Sequence, residues 1–447
     1  MIVGDRAGVL AFANFIAIFL FSARNNVLLW LTDWSHSTFL LLHRWVAYVC
    51  IFHSVIHSIL LLYWYTKWAD SVAESKLPYW YWGIIATLTI CIMWPAALLP
   101  VRRRAYELFL AFHKILAALL LIACFLHMWY VFKYNWGYEI WIYAAGGIWF
   151  MDQVLRLWRI ARNGAQTADI TVLDESGEYL KLEIEGVVAE GSVYLYFPTL
   201  SWRFWENHPF SVLSSFAGVP AACRSRASVS KVRTVDDPEK SISPAAISVR
   251  PIQEGITAGA APSTSSDSSH QSLSGNGHIR PRVTLLVRVQ DGITKSLLAS
   301  GNRQVRVLIE SSYRSNPALS NLSSCSTLLC IAGGVGITAV LPVARKFGGV
   351  RTRLCWGMRS QTLLQAVGGD IARLGPSVEV ETSVGARLPI EDILTEELVG
   401  ADEKGEIGVV VCGPAEMADE VTLVVNKIVF SGRSRRGVVL VNEAFSW

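Results

Sequence analysis

The sequence predicts a helical transmembrane bundle of about five spans, followed by a cytosolic antiparallel β-barrel and then an α/β domain of the doubly wound kind. Three observations predict it. Five apolar runs within the first 160 residues are each long enough to cross a ~30 Å hydrocarbon core. Beyond Asp169 come short alternating segments separated by turn residues, the pattern of a small antiparallel barrel. From Ser323 onward, apolar strands alternate with helical stretches, the rhythm of a parallel sheet. Residues 1–160, 165–322 and 323–447 are therefore read as three domains.

Apolar residues make up 52% of the 447-residue chain and charged residues 17%, an average that hides a lipid-like first third and an ordinary remainder. The spans are placed at 8–30, 38–65, 79–100, 106–132 and 138–157. Arg24, Arg102, Arg103, Arg104, Arg156, Arg159 and Arg162 follow the odd-numbered spans, whereas the other loops hold only Lys67, Lys76 and Lys133. The positive-inside rule then puts the N-terminus outside and everything after the fifth span in the cytosol. Trp and Tyr clusters at 63–68, 79–82 and 129–138 suit the outer interface. No cleavable leader is read, because the first run is of anchor length and lacks a basic n-region.

A net charge of +4 without a basic, aromatic-interleaved stripe excludes a nucleic-acid partner. The eight cysteines show neither a disulfide framework nor metal spacing. In the soluble part, strands are expected at 169–173, 179–185, 192–197 and 283–289. Further strands are expected at 328–331, 353–356, 378–381 and 408–411. Between them, residues 219–280 dissolve into Ser, Pro, Ala and Gly and are read as a disordered insertion.

Within the spans, four histidines stand two and two. His43 and His57 are 14 residues apart, and so are His113 and His127. Fourteen residues return a helix to within ~40° of the same face, ~21 Å further along. The second and fourth spans run the same way, so His43 pairs with His113 at the inner end and His57 with His127 at the outer end. Two stacked imidazole pairs suit two bis-histidine haems carrying electrons across a membrane. His53 has no counterpart in the fourth span and is read as a packing residue. Arg44 and Lys114 adjoin the inner ligands and suit haem propionates or interfacial snorkelling.

Gly333, Gly334 and Gly336 follow an apolar strand and precede a helix that begins near Thr338. Such a turn lets backbone amides and a helix N-terminus approach a pyrophosphate. A second strand ends at Cys412, Gly413 and Pro414, where a small residue lets a nicotinamide stack. His208, Pro209, Phe210 and Ser211 form a rigid turn with one hydroxyl and one aromatic, suited to a flat ring. Gly292 and Thr294 offer amides and a hydroxyl to a diphosphate. The terminal Trp447 is read as a plug or as a lid over such a ring.

These motifs in this order resemble the fungal ferric-chelate reductases, in the superfamily shared with NADPH oxidases. The ordered set is RAG near Arg6, RNN at 24–26, the histidine pairs, HPFS at 208–211, GITKSL at 292–297, GGVGIT at 333–338, CGP at 412–414 and the terminal FSW. The resemblance implies two b haems on His43, His57, His113 and His127, and FAD held by His208, Pro209, Phe210, Ser211, Gly292 and Thr294. It implies NADPH at Gly333, Gly334, Gly336 and Thr338, helped by Cys412, Gly413 and Pro414. Trp356 and Arg359 match positions near the adenosine, with Arg359 facing the 2′-phosphate or solvent. Two departures stand out. The chain starts almost at RAG, where members usually have a further span, so a packing helix is absent or the N-terminus incomplete. Glu310-Ser-Ser-Tyr-Arg314 also replaces the usual EGPYG.

The activity so implied is electron transfer from cytosolic NADPH, through FAD and two haems, to ferric chelates, siderophores or cupric ion outside a plasma membrane, in support of iron uptake. Oxygen reduction to superoxide is the nearest rival. A histidine-lined metal transporter leaves the nucleotide motifs without a purpose, and a truncated inactive homologue is the remaining alternative.

Overall fold

The computed structural model describes residues 1–32, 34–201, 203–217, 232–234, 280–301, 304–313, 317–400 and 405–443. The chain opens with α1 (Ile2–Ser22), a short α2 (Leu28–Leu31), α3 (His36–Trp68), a short α4 (Ser71–Glu74), α5 (Pro78–Ala96), a short α6 (Leu99–Arg104), α7 (Tyr106–Phe132) and α8 (Glu139–Asn163). The helix starts follow from the sequence. Ser35 caps α3 by accepting from the Thr38 amide, and Pro78 opens α5 where its missing N–H costs nothing. Lys133, in the left-handed region at φ 48°, ends α7.

Among the described residues, three helices are long and apolar enough to cross a membrane: α1, α3 and α7. The other two expected spans form as α5 and α8. Tryptophans and tyrosines dilute the first turns of α5, and Asp152, Arg156, Arg159 and Arg162 make the end of α8 polar. The bundle core is built from Ala11, Phe15, Phe19, Cys50, Ile90, Leu120, Leu121, Cys124, Met128, Ile142 and Ala145. Outward-facing Trp30, Phe52, Leu108, Ile115 and Phe150 are all more than 60% exposed, as lipid contact requires. The nearest packing partners of α3 are α1 and α5, and those of α7 are α5 and α8, so α3 and α7 meet mainly through side chains.

Six antiparallel strands close the barrel in the order β1-β2-β6-β4-β3-β7: β1 (Ala165–Val172), β2 (Tyr179–Glu185), β3 (Ser192–Tyr196), β4 (His208–Phe216), β6 (Arg282–Arg288) and β7 (Gln304–Tyr313). Inward-pointing Leu182, Ile184, Leu195, Leu285 and Val307 fill it. A helix, α9 (Ile293–Ala299), lies between β6 and β7. A strand the sequence reading did not expect, β5 (Val232–Thr234), sits inside the stretch read as disordered. It pairs in parallel with a strand of the second sheet, Val380 opposite Val232, and so forms its edge. The rest of 219–279 lies outside the described residues.

The second sheet is parallel, in the order β12-β11-β8-β9-β10-β5. Its strands are β8 (Thr327–Gly333), β9 (Arg351–Met358), β10 (Val378–Val384), β11 (Ile407–Cys412) and β12 (Val438–Asn442). The connecting helices are α10 (Ile337–Lys346), α11 (Gln361–Ile371), α12 (Ile390–Thr395) and α13 (Ala415–Phe430). Alternate residues of β8 serve two cores: Leu328, Cys330 and Ala332 face one side, Leu329 and Ile331 the other. Burial on both faces explains why this strand reads as a continuous apolar run. Tyr179, Leu213 and Leu286 of the barrel share a core with Ile337, Val340 and Leu341 of α10, which fixes barrel and sheet together.

Candidate functional site

The four span histidines come together as two pairs. The ring centroids of His43 and His113 are 6.3 Å apart, and those of His57 and His127 are 6.2 Å apart. An imidazole–metal bond of ~2 Å, plus ~1 Å from nitrogen to ring centre on each side, puts two axial ligands ~6 Å apart. The spacing therefore fits one metal between each pair. His43 Nδ1 lies 2.9 Å from Ile18 O, His57 Nδ1 2.9 Å from Gly4 O, and His127 Nδ1 2.8 Å from Tyr79 O. A carbonyl can only accept, so each Nδ1 carries the proton and each Nε2 offers its lone pair. His113 Nδ1 is buried without a protein partner among the described residues. His53 joins neither pair; its Nδ1 is 3.4 Å from Asn14 Nδ2. Arg44 stays exposed and donates to Leu40 O.

Two glycines that the sequence reading passed over press on the outer pair. A Cβ on Gly8 would lie 2.7 Å from His57 Nδ1, and one on Gly83 would lie 2.9 Å from His127 Nδ1. Gly8 belongs to the RAG motif, whose mere presence was the only available signal.

The RNN motif explains itself as a dock between bundle and barrel. Arg24 donates to Glu310 Oε1 and Oε2 at 3.1 and 3.2 Å and to Asn207 at 2.7 Å. Asn25 donates to Asp152 and accepts from Arg159. Asn26 accepts from the Leu28 amide at the start of α2. Glu310 has no exposed surface and takes a second guanidinium, Arg156, at 3.1 Å, together with the hydroxyls of Tyr196 and Tyr313. Burial pushes its carboxyl up, but Arg24, Arg156 and the two hydroxyls outweigh that and hold it below the usual range. Arg159 also donates to the carbonyls of Ser311 and Ser312. The residues standing where the sequence departs from EGPYG thus form the barrel's side of this dock.

The rigid turn expected at 208–211 is instead extended: β4 begins at His208 at the mouth of the barrel, and Pro209, Phe210 and Ser211 pair with Tyr194, Val193 and Ser192 of β3. His208 Nε2 is 3.5 Å from Glu107 at the start of the membrane helix α7. Arg203 bridges Glu107 and Glu206 at 3.0 Å each. Burial lowers the His208 pKa from the ordinary value, and burial together with Glu107 raises that of Glu206. Ser211 Oγ has no protein partner among the described residues. Gly292, at φ 90°, opens α9, and its open side faces Glu107, whose Oε1 would be 3.1 Å from a Cβ there. The Thr294 hydroxyl is already engaged at both ends with Gln290, accepting from its amide and donating to its carbonyl.

The two glycine turns of the parallel sheet adjoin. A Cβ on Gly336 would fall 2.1 Å from Cys412 O, and one on Gly333 2.8 Å from Pro414 Cδ. Strands run outward in both directions from β8, to β9 and β10 on one side and to β11 and β12 on the other. The turns therefore sit at the topological switch point, where open parallel sheets hold nucleotides. The Thr338 hydroxyl donates to Val335 O and closes the turn from within. Cys412 is buried, its thiol pushed up to about 12 by desolvation, and it donates to Glu443 O. Gly413 packs beside it against Gly333 and Met417. Arg359 is exposed just beyond β9. Trp356 differs from expectation: it is fully buried and donates to Gly334 O at 2.9 Å, supporting the turn from behind rather than facing a ligand. Trp447 lies outside the described residues.

Residues 7–124 match the family described as ferric reductase like transmembrane component. Over 218 residues the chain is 32% identical to ferric reductase transmembrane component 3 of Saccharomyces cerevisiae, covering 48% of this chain and 30% of that protein. It is 30% identical over 217 residues to ferric/cupric reductase transmembrane component 1 of Candida albicans, covering 47% and 27%. Against ferric reductase transmembrane component 5 of Saccharomyces cerevisiae it is 26% identical over 404 residues, covering 85% of this chain and 47% of the other. The matches span less than half the length of these relatives.

Proposed function

We propose, from the premise that the membrane segment of this chain belongs to the ferric reductase like transmembrane family, that the protein is a transmembrane ferric reductase. It draws electrons from cytosolic NADPH through FAD and two b haems, and delivers them to ferric chelates, siderophores or cupric ion outside a plasma membrane. The observation that carries this reading is the ladder of two histidine pairs, each spaced for one metal, on parallel helices that lead away from a nucleotide-type sheet.

When bound, such groups supply hydride transfer from nicotinamide to flavin and then single-electron steps through haem. The protein's own part is positional. His43 and His113 would hold the inner haem, His57 and His127 the outer one, through Nε2. A haem held by two imidazoles would supply electrons to an acceptor that it does not itself bind. The switch-point turns (Gly333, Gly334, Gly336, Thr338, Cys412, Gly413 and Pro414) would take the NADPH, with Arg359 at the 2′-phosphate. The stretch from His208 to Ser211 would hold the flavin ring, Ser211 Oγ being free to bond its polar edge. Gly292 and Thr294 would adjoin the diphosphate, and Trp447 would cover the ring. Glu107 stands six residues before His113, ~9 Å along α7, so the flavin mouth leads directly to the inner pair.

Reduced-minus-oxidised absorption spectra of membranes carrying the protein test this reading, beside His57→Ala and His113→Ala. A b-type difference signal that weakens in both variants, with NADPH-driven ferric reduction lost in both, is the expected result. Well-expressed protein without any haem signal would overturn it.

A further inference from the structure

The outer histidine pair is held by a device that occurs twice. His57 bonds Gly4 O, and four residues on along α1 stands Gly8; His127 bonds Tyr79 O, and four residues on along α5 stands Gly83. In a helix, residue i+4 sits directly over the carbonyl of residue i. The two rings come so close to these positions that a Cβ would fall 2.7 Å from His57 Nδ1 or 2.9 Å from His127 Nδ1. The rings cannot simply give way, since each is tied at Nδ1 to the carbonyl. The equivalent position for His43, four after Ile18, is Ser22, and His113 Nδ1 has no hydrogen-bond partner among the described residues. The notch belongs to the outer pair alone.

Its consequence is orientational. The two outer rings stand at 88° to one another, whereas the inner rings stand at 71°. We propose that Gly8 and Gly83 are matched positioning residues that fix the tautomer of His57 and His127 and hold their planes mutually perpendicular, for an iron between them. This rests on the haem reading above. Perpendicular imidazole planes leave the two iron d orbitals that overlap them nearly equal in energy. A low-spin ferric centre then gives a strongly anisotropic paramagnetic signal instead of a rhombic one.

The test is electron paramagnetic resonance and haem quantitation on the purified full chain, comparing wild type with His57→Ala, Gly8→Ala, Gly83→Ala and Gly147→Ala. An added Cβ on Gly147 would meet nothing within 4 Å outside its own helix backbone among the described residues, so Gly147 serves as the control. The wild type is expected to show a strongly anisotropic signal that disappears in His57→Ala. Gly8→Ala and Gly83→Ala, each independently, should move that signal toward rhombic or abolish it. Outer-haem affinity should fall ~10–100-fold, as for loss of a partner that orients a ligand. The inner-haem signal, retained, shows that the variants fold. Unchanged signals and haem content in both glycine variants would overturn the proposal, and so would loss of both haems in both variants, since the device would then not be local. Absence of haem from the wild type would instead remove the function proposed above.

Discussion

Gly336 shows how one missing atom builds a site. Its α-carbon meets the Cys412 carbonyl so closely that an added methyl would stand 2.1 Å from that oxygen, and backbone cannot rotate aside as a side chain can. Gly336→Ala must therefore push the β8 and β11 turns apart. The expected result is at least ~2 kcal/mol of lost stability, typical of overpacking, and loss of nucleotide affinity, read by calorimetric titration with NADPH and by thermal unfolding. Trp356→Phe is a milder probe of the same turn. It keeps an aromatic ring but removes both the indole N–H bond to Gly334 O and part of the buried volume, so a cost of ~2 kcal/mol is expected, with nucleotide affinity reduced rather than abolished. The sequence announced the glycines, because their spacing is tied to a general backbone requirement. It did not announce that Trp356 faces inward, since nothing in a tryptophan's neighbours along the chain tells which face of a strand is the deeper one.

At the level of elements, the apolar pattern was sufficient where one residue type does one job. Long apolar runs became α1, α3, α5, α7 and α8, and every expected strand formed. Partners that lie far apart in sequence were not legible. Arg353 on β9 is 6% exposed and donates to Glu381 on β10 and to Glu396 and Glu397 beyond α12. Only the register between β9 and β10 and the close of the α12 turn bring these charges together. Nothing in the sequence marks them as partners. Glu397 is 2% exposed on its side chain, so removing the guanidinium leaves a buried carboxylate with Arg351 as its one remaining ion-pair partner among the described residues. Arg353→Ala is expected to destabilise the sheet domain by ~3–5 kcal/mol, with unfolding of that domain observed calorimetrically while the haem spectrum stays intact.

The whole molecule depends on how its membrane and soluble halves are joined, and that joint is where the sequence was read least well. Replacement of the Gly-Pro turn put the linker geometry in question, yet Glu310, the first residue of that stretch, is the point on which both halves converge. Its carboxylate is fully buried between Arg24, from the loop after α1, and Arg156, from the last turns of α8. The electron relay proposed above would need a fixed separation between donor and acceptor, and a buried, doubly paired carboxylate enforces one more stiffly than apolar contact does, because every displacement exposes unpaired charge. Glu310→Gln leaves two guanidinium groups facing a neutral amide, and a loss of ~3–5 kcal/mol from docking is expected. The pH dependence gives the sharper test. The folded carboxyl titrates below its ordinary value of 4.5, so its contribution is complete above 4.5 and is lost as pH falls through the folded value. Thermal unfolding of the purified protein should therefore steepen in its pH dependence below 4.5 for wild type, and Glu310→Gln should remove that increment. An unchanged acid limb in the variant would place the acid-sensitive joint elsewhere and leave Glu310 a bystander.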